Sequence, residues 1–201
     1  MNVLNLSVIV EGHGETQAVP LLLRRIGQLV CPDLDLNVLR PLRIGRHKLV
    51  KQGEVERAVE LAARRAQPPR AILILVDAED DLPCVLGPDL LARASSARRD
   101  IPVAVVLAKR EFEAWFLAAM ESISGRRGLR PNLAPVADPE AIRDAKGLLT
   151  KSMEGTRAYS EVLDQPALTA AFDMDLARKR SDSFDKCWRE VVRLLQAPVD
   201  P

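Results

Sequence analysis

The chain has 201 residues, of which 47% are hydrophobic and 28% are charged. This length and apolar content are enough for the buried core of one main domain. The 29 Lys and Arg residues nearly balance the 28 Asp and Glu residues, which leaves a formal net charge of +1 at pH 7. The balance excludes a strong global field for a polyanionic partner, so any contact with nucleic acid must come from local patches.

The cysteines and the hydropathy of the chain favour a cytoplasmic location. Cys31, Cys84 and Cys187 are scattered without CxxC spacing, which excludes the usual zinc patterns and a disulfide framework. No uncharged apolar stretch reaches the length that spans a membrane, and no basic region precedes the first acidic residue, Glu11. We therefore expect a protein of the reducing cytoplasm with no membrane partner.

The first half of the chain alternates strand-like and helix-like segments. The later apolar runs are nearly continuous and aliphatic, which is typical of parallel strands covered on both faces. The pattern predicts an α/β fold with a mainly parallel, Rossmann-like sheet flanked by helices. We predict strands at 3–10, 71–76 and 101–107, a mixed extended run at 36–44, and helices at 16–30, 54–66 and 88–94.

Downstream of Leu107 the pattern becomes helical. Glu111–Ser122 carries aromatic and small apolar residues at helical spacing. We therefore divide the chain into an α/β domain at 1–122 and a helical C-terminal extension at 123–201 that packs on it. Within the extension, helical patterns cover 140–150, 159–171 and 183–196.

The first of two acidic clusters follows the first predicted strand. Glu11 ends the apolar run Val8-Ile9-Val10, and Glu15 follows Gly12-His13-Gly14. A dinucleotide-binding turn is excluded, because Gln17 takes the place of the third glycine and Glu11 would repel a pyrophosphate. We interpret the glycines as a sharp turn that lets Glu11 and Glu15 point into one space. For Glu15 alone, an ordinary first-turn position favoured by the helix dipole is the stronger interpretation.

The second acidic cluster follows the next long aliphatic run. Asp77, Glu79 and Asp81 occupy every second position. If the extended geometry continues, their carboxylates share one side, with Ala78 and Asp80 turned away. For Asp80 and Asp81, a solvated loop is a serious alternative.

The two clusters together suggest a metal site. In open α/β sheets functional groups gather beyond the carboxyl ends of the strands, so Glu11 and Asp77 can face one crevice. Mutual repulsion disfavours such a cluster without a cation, and hard oxygen ligands suit Mg²⁺ or Mn²⁺. Glu111 and Glu113 follow the last predicted strand, and one of them could supply an additional acid. A first-turn role explains Glu111 equally well.

One group of basic residues favours contact with phosphate. It places six basic or potentially basic residues among twelve, with no acid between them: Arg40, Arg43, Arg46, His47, Lys48 and Lys51. We expect Arg43, Arg46 and Lys48 to contact the phosphates of nucleic acid. A solvated surface is the alternative for this group and for the shorter basic runs.

The acidic positions follow the pattern of a Toprim domain, in which a glutamate ends the first strand and a DxD or DxDxD motif follows a later one. The chain resembles this family, which includes topoisomerase and primase modules, small ribonucleases and OLD-type nucleases. The resemblance implies that Glu11, Asp77 and Glu79 are catalytic, although Glu79 stands where the family pattern has aspartate. It also implies that Mg²⁺ or Mn²⁺ is bound by Glu11, Glu15, Asp77, Glu79 and Asp81.

A second resemblance covers nearly the whole chain. Glu111–Trp115, Tyr159 and Ser181–Phe184 are similar to elements of a bacterial Toprim-like family known as domain of unknown function 4276. Proteins that resemble it are thought to act beside ATPase partners in defence against foreign DNA. The resemblance therefore implies an ATPase partner protein.

Our leading hypothesis is a metal-dependent phosphodiesterase, a nuclease that acts on DNA or RNA in a defence or genome-maintenance system. The first alternative is a non-catalytic Toprim-like subunit that binds nucleic acid or an ATPase partner, which the glutamate at position 79 favours. A weaker alternative is a phosphoacceptor or phosphatase domain with Asp77 as the nucleophile, for which Lys109 is the candidate lysine.

Overall fold

The computed structural model describes residues 2–197, so Met1 and residues 198–201 of the predicted domain ranges lie outside it. The strands are β1 (Asn2–Val10), β2 (Leu34–Val38), β3 (Leu42–Arg43), β4 (Arg70–Asp77) and β5 (Val103–Ala108). The helices are α1 (Glu15–Val30), α2 (Arg46–Leu49), α3 (Glu54–Arg65), α4 (Pro83–Ala97), α5 (Ala114–Ala118), α6 (Ala145–Lys151), α7 (Glu161–Thr169), α8 (Met174–Arg180) and α9 (Asp182–Leu195). Short 3₁₀ helices lie at Met120–Ile123 and Pro139–Ala141.

The strands form one parallel sheet. Its order is β2-β1-β4-β5, and β3 pairs with the end of β1 beyond β2. Ile9 lies opposite Ile74, and Ile74 lies opposite Val105, so β1, β4 and β5 end at the same edge. The predicted α/β class, a mainly parallel sheet flanked by helices with a helical C-terminal region, is confirmed.

The sheet separates two hydrophobic cores, because successive side chains of a strand point to opposite faces. On one face, Ile74 and Val76 of β4 belong to the core that α3 and α4 cover. On the other face, Leu73 and Leu75 belong to the core that α1, α5 and the C-terminal helices share. Burial on both faces explains why β4 and β5 are aliphatic throughout.

The C-terminal helices complete the second core. Helix α7 packs along α1, and α9 packs against β5 and α1. Aromatic pairs join the region after β5 to these helices, with ring centroids 4.7–5.6 Å apart, and they involve Phe112, Trp115, Phe116, Phe172 and Phe184. Each such pair stabilises the fold by about 0.5–1.5 kcal/mol beyond the burial of its area. The C-terminal region is therefore held on the sheet by a shared core.

Some predicted elements differ from the structure. Helix α4 begins at Pro83 rather than at Pro88, because proline suits the first helical position with its fixed φ. The helix predicted over Glu111–Ser122 is divided into α5 and a 3₁₀ helix. The extended run predicted at 36–44 is two separate strands, β2 and β3. Helices α2 and α8 were not predicted.

Within residues 2–197 no helix has the length and apolar content needed to cross a membrane. The thiols of Cys31, Cys84 and Cys187 are all free. Cys187 lies in the core, and burial raises its pKa to about 12. That thiol therefore stays protonated and unreactive at neutral pH.

Candidate functional site

A cavity of about 300 Å³ opens at the edge where β1, β4 and β5 end. Seven acidic side chains and one lysine line it, together with a glycine and a glutamine. The lining residues are Glu11, Gly12, Glu15, Asp77, Glu79, Glu111, Glu113, Lys146, Glu161 and Gln165. The cavity therefore brings together members of both predicted acidic clusters, the two additional acids and residues of α6 and α7.

Glu15 ties the turn after β1 to the start of α1. Its Oε2 accepts hydrogen bonds from the backbone N–H groups of Glu11 and Gly12, at 2.9 and 3.0 Å. The side chain is only 3% exposed, and burial raises its pKa to about 7 despite these hydrogen bonds. Glu15 is thus a buried acid that organises the turn, rather than a solvent-facing first-turn residue.

Glu11 lies directly after β1 and is half-buried. Its Oε2 has no hydrogen-bond partner among the described residues. Burial raises the pKa of Glu11, the nearby backbone N–H of Arg46 lowers it, and the carboxylate of Glu79 raises it. An oxygen without a partner at the end of a buried strand is unfavourable, so this position favours a ligand.

Gly14 is required by close packing and not by an unusual backbone conformation. Its φ of −63° and ψ of −38° are ordinary helical values. A Cβ at this position would collide with the backbone carbonyl of Glu161 and with the side chain of Gln165. The interpretation of Gly14 as a turn-forming residue is therefore corrected, because its missing side chain lets α7 approach the cavity.

Asp77 ends β4 beside the turn that follows β5. Its Oδ1 accepts a hydrogen bond from the backbone N–H of Phe112 at 2.8 Å. Burial raises the pKa of Asp77 well above its ordinary value, and the negative charges of Glu15 and Glu113 raise it further. Glu11 also contributes to this shift, so the first acids of the two clusters share one electrostatic environment.

Glu113 is fully buried and lines the same cavity. Its Oε1 accepts hydrogen bonds from the Tyr159 hydroxyl at 2.9 Å and from the Gln165 amide at 3.2 Å. Its Oε2 has no partner within residues 2–197. Burial raises the pKa of Glu113 to about 7. A cation is the kind of ligand that would satisfy this free oxygen.

Lys146 places an ammonium group among the carboxylates. Its Nζ pairs with Glu161 at the start of α7, and its backbone N–H donates to Glu111 Oε2 at 3.3 Å. Burial lowers the pKa of Lys146, but the charges of Glu113, Glu161 and Asp77 outweigh burial and raise the pKa above that of an ordinary lysine. The cavity therefore contains a permanent positive charge at neutral pH.

The backbone after Asp77 does not keep the extended geometry on which the predicted grouping depended. Strand β4 ends at Asp77, and Glu79 has a left-handed φ of 52°. The backbone N–H of Glu79 donates to the carbonyl of Arg110 at 3.0 Å, which holds this turn against the segment after β5. Glu79 lines the cavity, whereas Asp81 lies outside its lining.

The three acids of this turn, Glu79, Asp80 and Asp81, all form ion pairs with arginines. Arg46 Nη1 lies 3.3 Å from Glu79 Oε2, and Arg46 Nη2 pairs with Asp81. Asp80 pairs with Arg110 and, at 2.9 Å, with Arg143 of the C-terminal region. The charges of these acids are therefore largely balanced within the chain.

The residues predicted to bind nucleic acid lie close to this edge. Arg43 is exposed on β3 and pairs in register with Val10, the residue before Glu11. Lys48 is also exposed, and its Nζ lies 3.7 Å from a Glu54 carboxylate oxygen. Arg43 and Lys48 thus remain accessible to a phosphate, whereas Arg46 is already engaged with carboxylates.

A second buried network holds the C-terminal helices at the end of β5. Ser183 Oγ accepts hydrogen bonds from Trp115 Nε1 at 2.9 Å and from the backbone N–H of Lys109 at 3.1 Å. Glu140 Oε1 accepts from the Ser181 hydroxyl at 2.6 Å and from the backbone N–H of Ser183 at 2.9 Å. The Nζ of Lys109 lies 3.7 Å from Glu140 Oε2 and outside the lining of the acidic cavity. This placement gives no support to Lys109 as the lysine of a phosphoacceptor site.

The donor set of the cavity fits a hard divalent cation, because it consists of carboxylate oxygens. In the described part of the chain, no three His, Cys, Asp or Glu side chains are already arranged to hold a metal ion. Glu15 and Asp77 each accept hydrogen bonds from the backbone, and Glu79 pairs with Arg46. The partnerless oxygens of Glu11 and Glu113 nevertheless show that the cavity has unused ligand capacity.

A larger cavity of about 460 Å³ lies at the opposite end of the strands, beside Leu4, Ala71 and Leu194. The acid that lines it, Asp100, pairs with Arg98, which lowers the pKa of Asp100 to about 2. The acid of this cavity is paired within the chain, so the cavity offers no free carboxylate to a ligand.

Sequence reasoning did not identify Lys146, Glu161 or Gln165 as site residues. They come from α6 and α7, which follow the last strand at positions that no spacing rule relates to the sheet edge. The resemblance drew attention to Tyr159, which the structure places on Glu113. Because Tyr159 lies just before α7, its place in the resemblance is the sequence signal that could have directed attention to the start of that helix.

Comparison with known proteins gives a match at the level of family. Searches among curated proteins and among solved structures return no match. The family described as "Domain of unknown function (DUF4276)" matches residues 10–191, which include every residue that lines the acidic cavity. Since the match covers most of the sequence, the chain belongs to this domain of unknown function family, DUF4276.

Proposed function

We propose that this chain is a metal-dependent phosphodiesterase, a nuclease of the Toprim type that acts on DNA or RNA. The observation that carries the proposal is the acidic cavity at the carboxyl edge of the parallel sheet, with partnerless oxygens on Glu11 and Glu113. Several carboxyl groups with raised pKa values in one cleft are typical of functional sites.

Glu11, Glu15 and Asp77 are the residues that would hold Mg²⁺ or Mn²⁺, and Glu79 and Glu113 are available as further ligands. A bound divalent cation neutralises negative charge that develops on the phosphate in the transition state. The protein positions these groups: Glu15 fixes the turn that carries Glu11, and a backbone N–H fixes Asp77. Asp81 lies farther out and would act only through Arg46.

The substrate's phosphates would meet basic groups both inside the cavity and beside it. Lys146 supplies a charge within it, and Arg43 and Lys48 supply exposed charges beside it. We propose that an ATPase partner acts with the chain in a defence system, and that the three free cysteines reflect a cytoplasmic location.

The test measures cleavage of radiolabelled DNA and RNA oligonucleotides by purified protein with Mg²⁺ or Mn²⁺, alone and with the proposed ATPase partner. Glu11→Gln and Asp77→Asn should lower the cleavage rate by at least about 100-fold, because each removes a ligand charge but keeps the shape. Glu154→Gln, a change at an exposed glutamate outside the cavity lining, is the matched control and should cleave like the wild type. Undiminished cleavage by Asp77→Asn would contradict the mechanism.

A second candidate is a non-catalytic Toprim-like subunit that binds nucleic acid or the ATPase partner. The pairing of Glu79, Asp80 and Asp81 with arginines favours it, because these acids are balanced without a metal. Binding of oligonucleotides without cleavage of DNA or RNA, with metal and partner both present, would select this candidate.

A further inference from the structure

The predicted role of Arg46 conflicts with the contacts that its side chain makes in the structure. It is a candidate phosphate ligand, yet its guanidinium already pairs with Glu79 and Asp81, which are candidate metal ligands. The side chain is only 13% exposed, and its Nε has no hydrogen-bond partner in the described chain. Its donors are therefore only partly used by the carboxylates.

Glu79 connects this ion pair to the acidic cavity. It lines the cavity together with Glu11, while its Oε2 lies 3.3 Å from Arg46 Nη1. A guanidinium partly neutralises the carboxylate with which it pairs, so that carboxylate attracts a second cation less strongly. Arg46 and a metal ion therefore compete for the same side chain.

We propose that Arg46 is a positioning residue that exchanges partners: it holds Glu79 when no metal is bound and releases Glu79 to the metal when a phosphodiester of nucleic acid binds the guanidinium. The inference rests on the proposed function, because it assumes that the cavity binds Mg²⁺ or Mn²⁺. Binding of the substrate is then coupled to assembly of the metal site.

The strengths of the interactions permit this exchange. The side chains of Glu79 and Asp81 are 61% and 54% exposed, so their pairs with Arg46 are screened by solvent and weak. A phosphodiester can accept two parallel hydrogen bonds from a guanidinium, whereas Glu79 offers Arg46 one contact at 3.3 Å. Because coupling is reciprocal, phosphate should strengthen metal binding and metal should strengthen phosphate binding.

The first measurement is the affinity for Mn²⁺ alone, by titration calorimetry without nucleic acid. Arg46→Ala should bind Mn²⁺ about three- to five-fold more tightly than the wild type, because it removes the competitor for Glu79. Arg189→Ala also removes one arginine from an ion pair, that with Asp185 on α9, and should bind Mn²⁺ like the wild type. Arg46→Lys keeps the charge but cannot hold two carboxylates in the same way. Its Mn²⁺ affinity should therefore lie between those of the wild type and Arg46→Ala.

The second measurement separates competition from simple loss of a positive charge. In a Glu79→Gln background, Arg46→Ala should give a clearly smaller gain in Mn²⁺ affinity, because residue 79 no longer has a carboxylate for the metal to gain. An equal gain in both backgrounds would overturn the inference.

The third measurement adds a phosphorothioate oligodeoxynucleotide that resists cleavage. It should raise the Mn²⁺ affinity of the wild type several-fold and that of Arg46→Ala less. Equal Mn²⁺ affinities of the wild type and Arg46→Ala would overturn this inference but would leave the proposed function standing. Absence of Mn²⁺ binding in all variants overturns the proposed function with it.

Discussion

At the scale of single residues, the acidic cavity concentrates carboxyl groups that favour the protonated form. Glu15 and Glu113 are almost fully buried, and burial raises the pKa of each to about 7. Their hydrogen bonds to backbone N–H groups, to Tyr159 and to Gln165 only partly offset the loss of water. The protein thus binds more protons near neutral pH than its unfolded chain does.

The free energy of unfolding without metal should therefore depend on pH. A carboxyl group whose pKa is higher in the folded state contributes stability below its unfolded pKa and loses it as pH rises through the folded value. With two such groups, we expect the free energy of unfolding in urea to fall by on the order of 5 kcal/mol between pH 5 and pH 8.

Glu113→Gln is the variant that checks this expectation. It keeps an acceptor for Tyr159 but cannot ionise, so the fall between pH 5 and pH 8 should become smaller. A stability that does not change over this range, in the wild type, would contradict the burial of these acids.

Glu11 and Asp77 could be found from the sequence, and Lys146 could not. An acid that directly follows a buried aliphatic strand stands at the carboxyl edge of the sheet whatever the rest of the chain does. Lys146 reaches the cavity only because α6 folds back toward the start of α7, where its Nζ pairs with Glu161. That contact depends on tertiary packing, which leaves no periodic trace in the sequence.

At the scale of elements, the contact between α1 and α7 decides the shape of the site. Helix α7 approaches Gly14 so closely that a Cβ there would meet its backbone. Gln165 of the same helix then reaches Glu113. The position of one helix therefore sets the burial of an acid on another segment.

Gly14→Ala should displace α7 from the cavity. The clash involves backbone and cannot be relieved by a rotamer change, so we expect a loss of about 1–3 kcal/mol in the free energy of unfolding. The pKa of Glu113 should move down toward its ordinary value as water enters, which carboxyl-detected NMR would follow. Gly12→Ala is the matched control, because its nearest neighbours lie at ordinary contact distances of 3.7 Å and beyond. Equal stability of the two variants would contradict the packing argument.

The elements show where patterns in the sequence suffice. Strands β1, β4 and β5 were predicted within a few residues, because aliphatic runs covered on both faces have few alternative structures. The alternation of Asp77, Glu79 and Asp81 was misleading, because the backbone turns left-handed at Glu79 to pair with the segment after β5. Hydrogen bonds between distant segments decided that geometry, and the local spacing did not.

At the scale of the whole molecule, charge is balanced and nucleic-acid binding must be local. The formal net charge is +1, and many arginines are paired with carboxylates of the chain. A balanced charge gives no general attraction for phosphates, so the electrostatic part of binding should come from a few contacts beside the cavity and be modest.

The affinity for an oligonucleotide should therefore depend only weakly on salt. With about three phosphate contacts, the logarithm of the binding constant should fall with the logarithm of salt concentration with a slope of about −2 to −3. The double variant Arg43→Ala with Lys48→Ala should flatten this slope by about 1 to 2. Lys179→Ala, at an exposed lysine of α8, is the control and should leave the slope unchanged. A steep slope that survives the double variant would place the binding surface elsewhere.

The sharing of one core by the two ends of the chain has a consequence for synthesis. A ribosome releases β1, β4 and β5 well before α7 and α9, so the sheet face that carries Leu73 and Leu75 has no complete cover until these two helices have been made. The acids of the first half gain Lys146, and Glu113 gains Tyr159 and Gln165, only when those helices arrive. A nascent chain therefore has no complete acidic cavity until α6 and α7 have been made and have packed on the sheet.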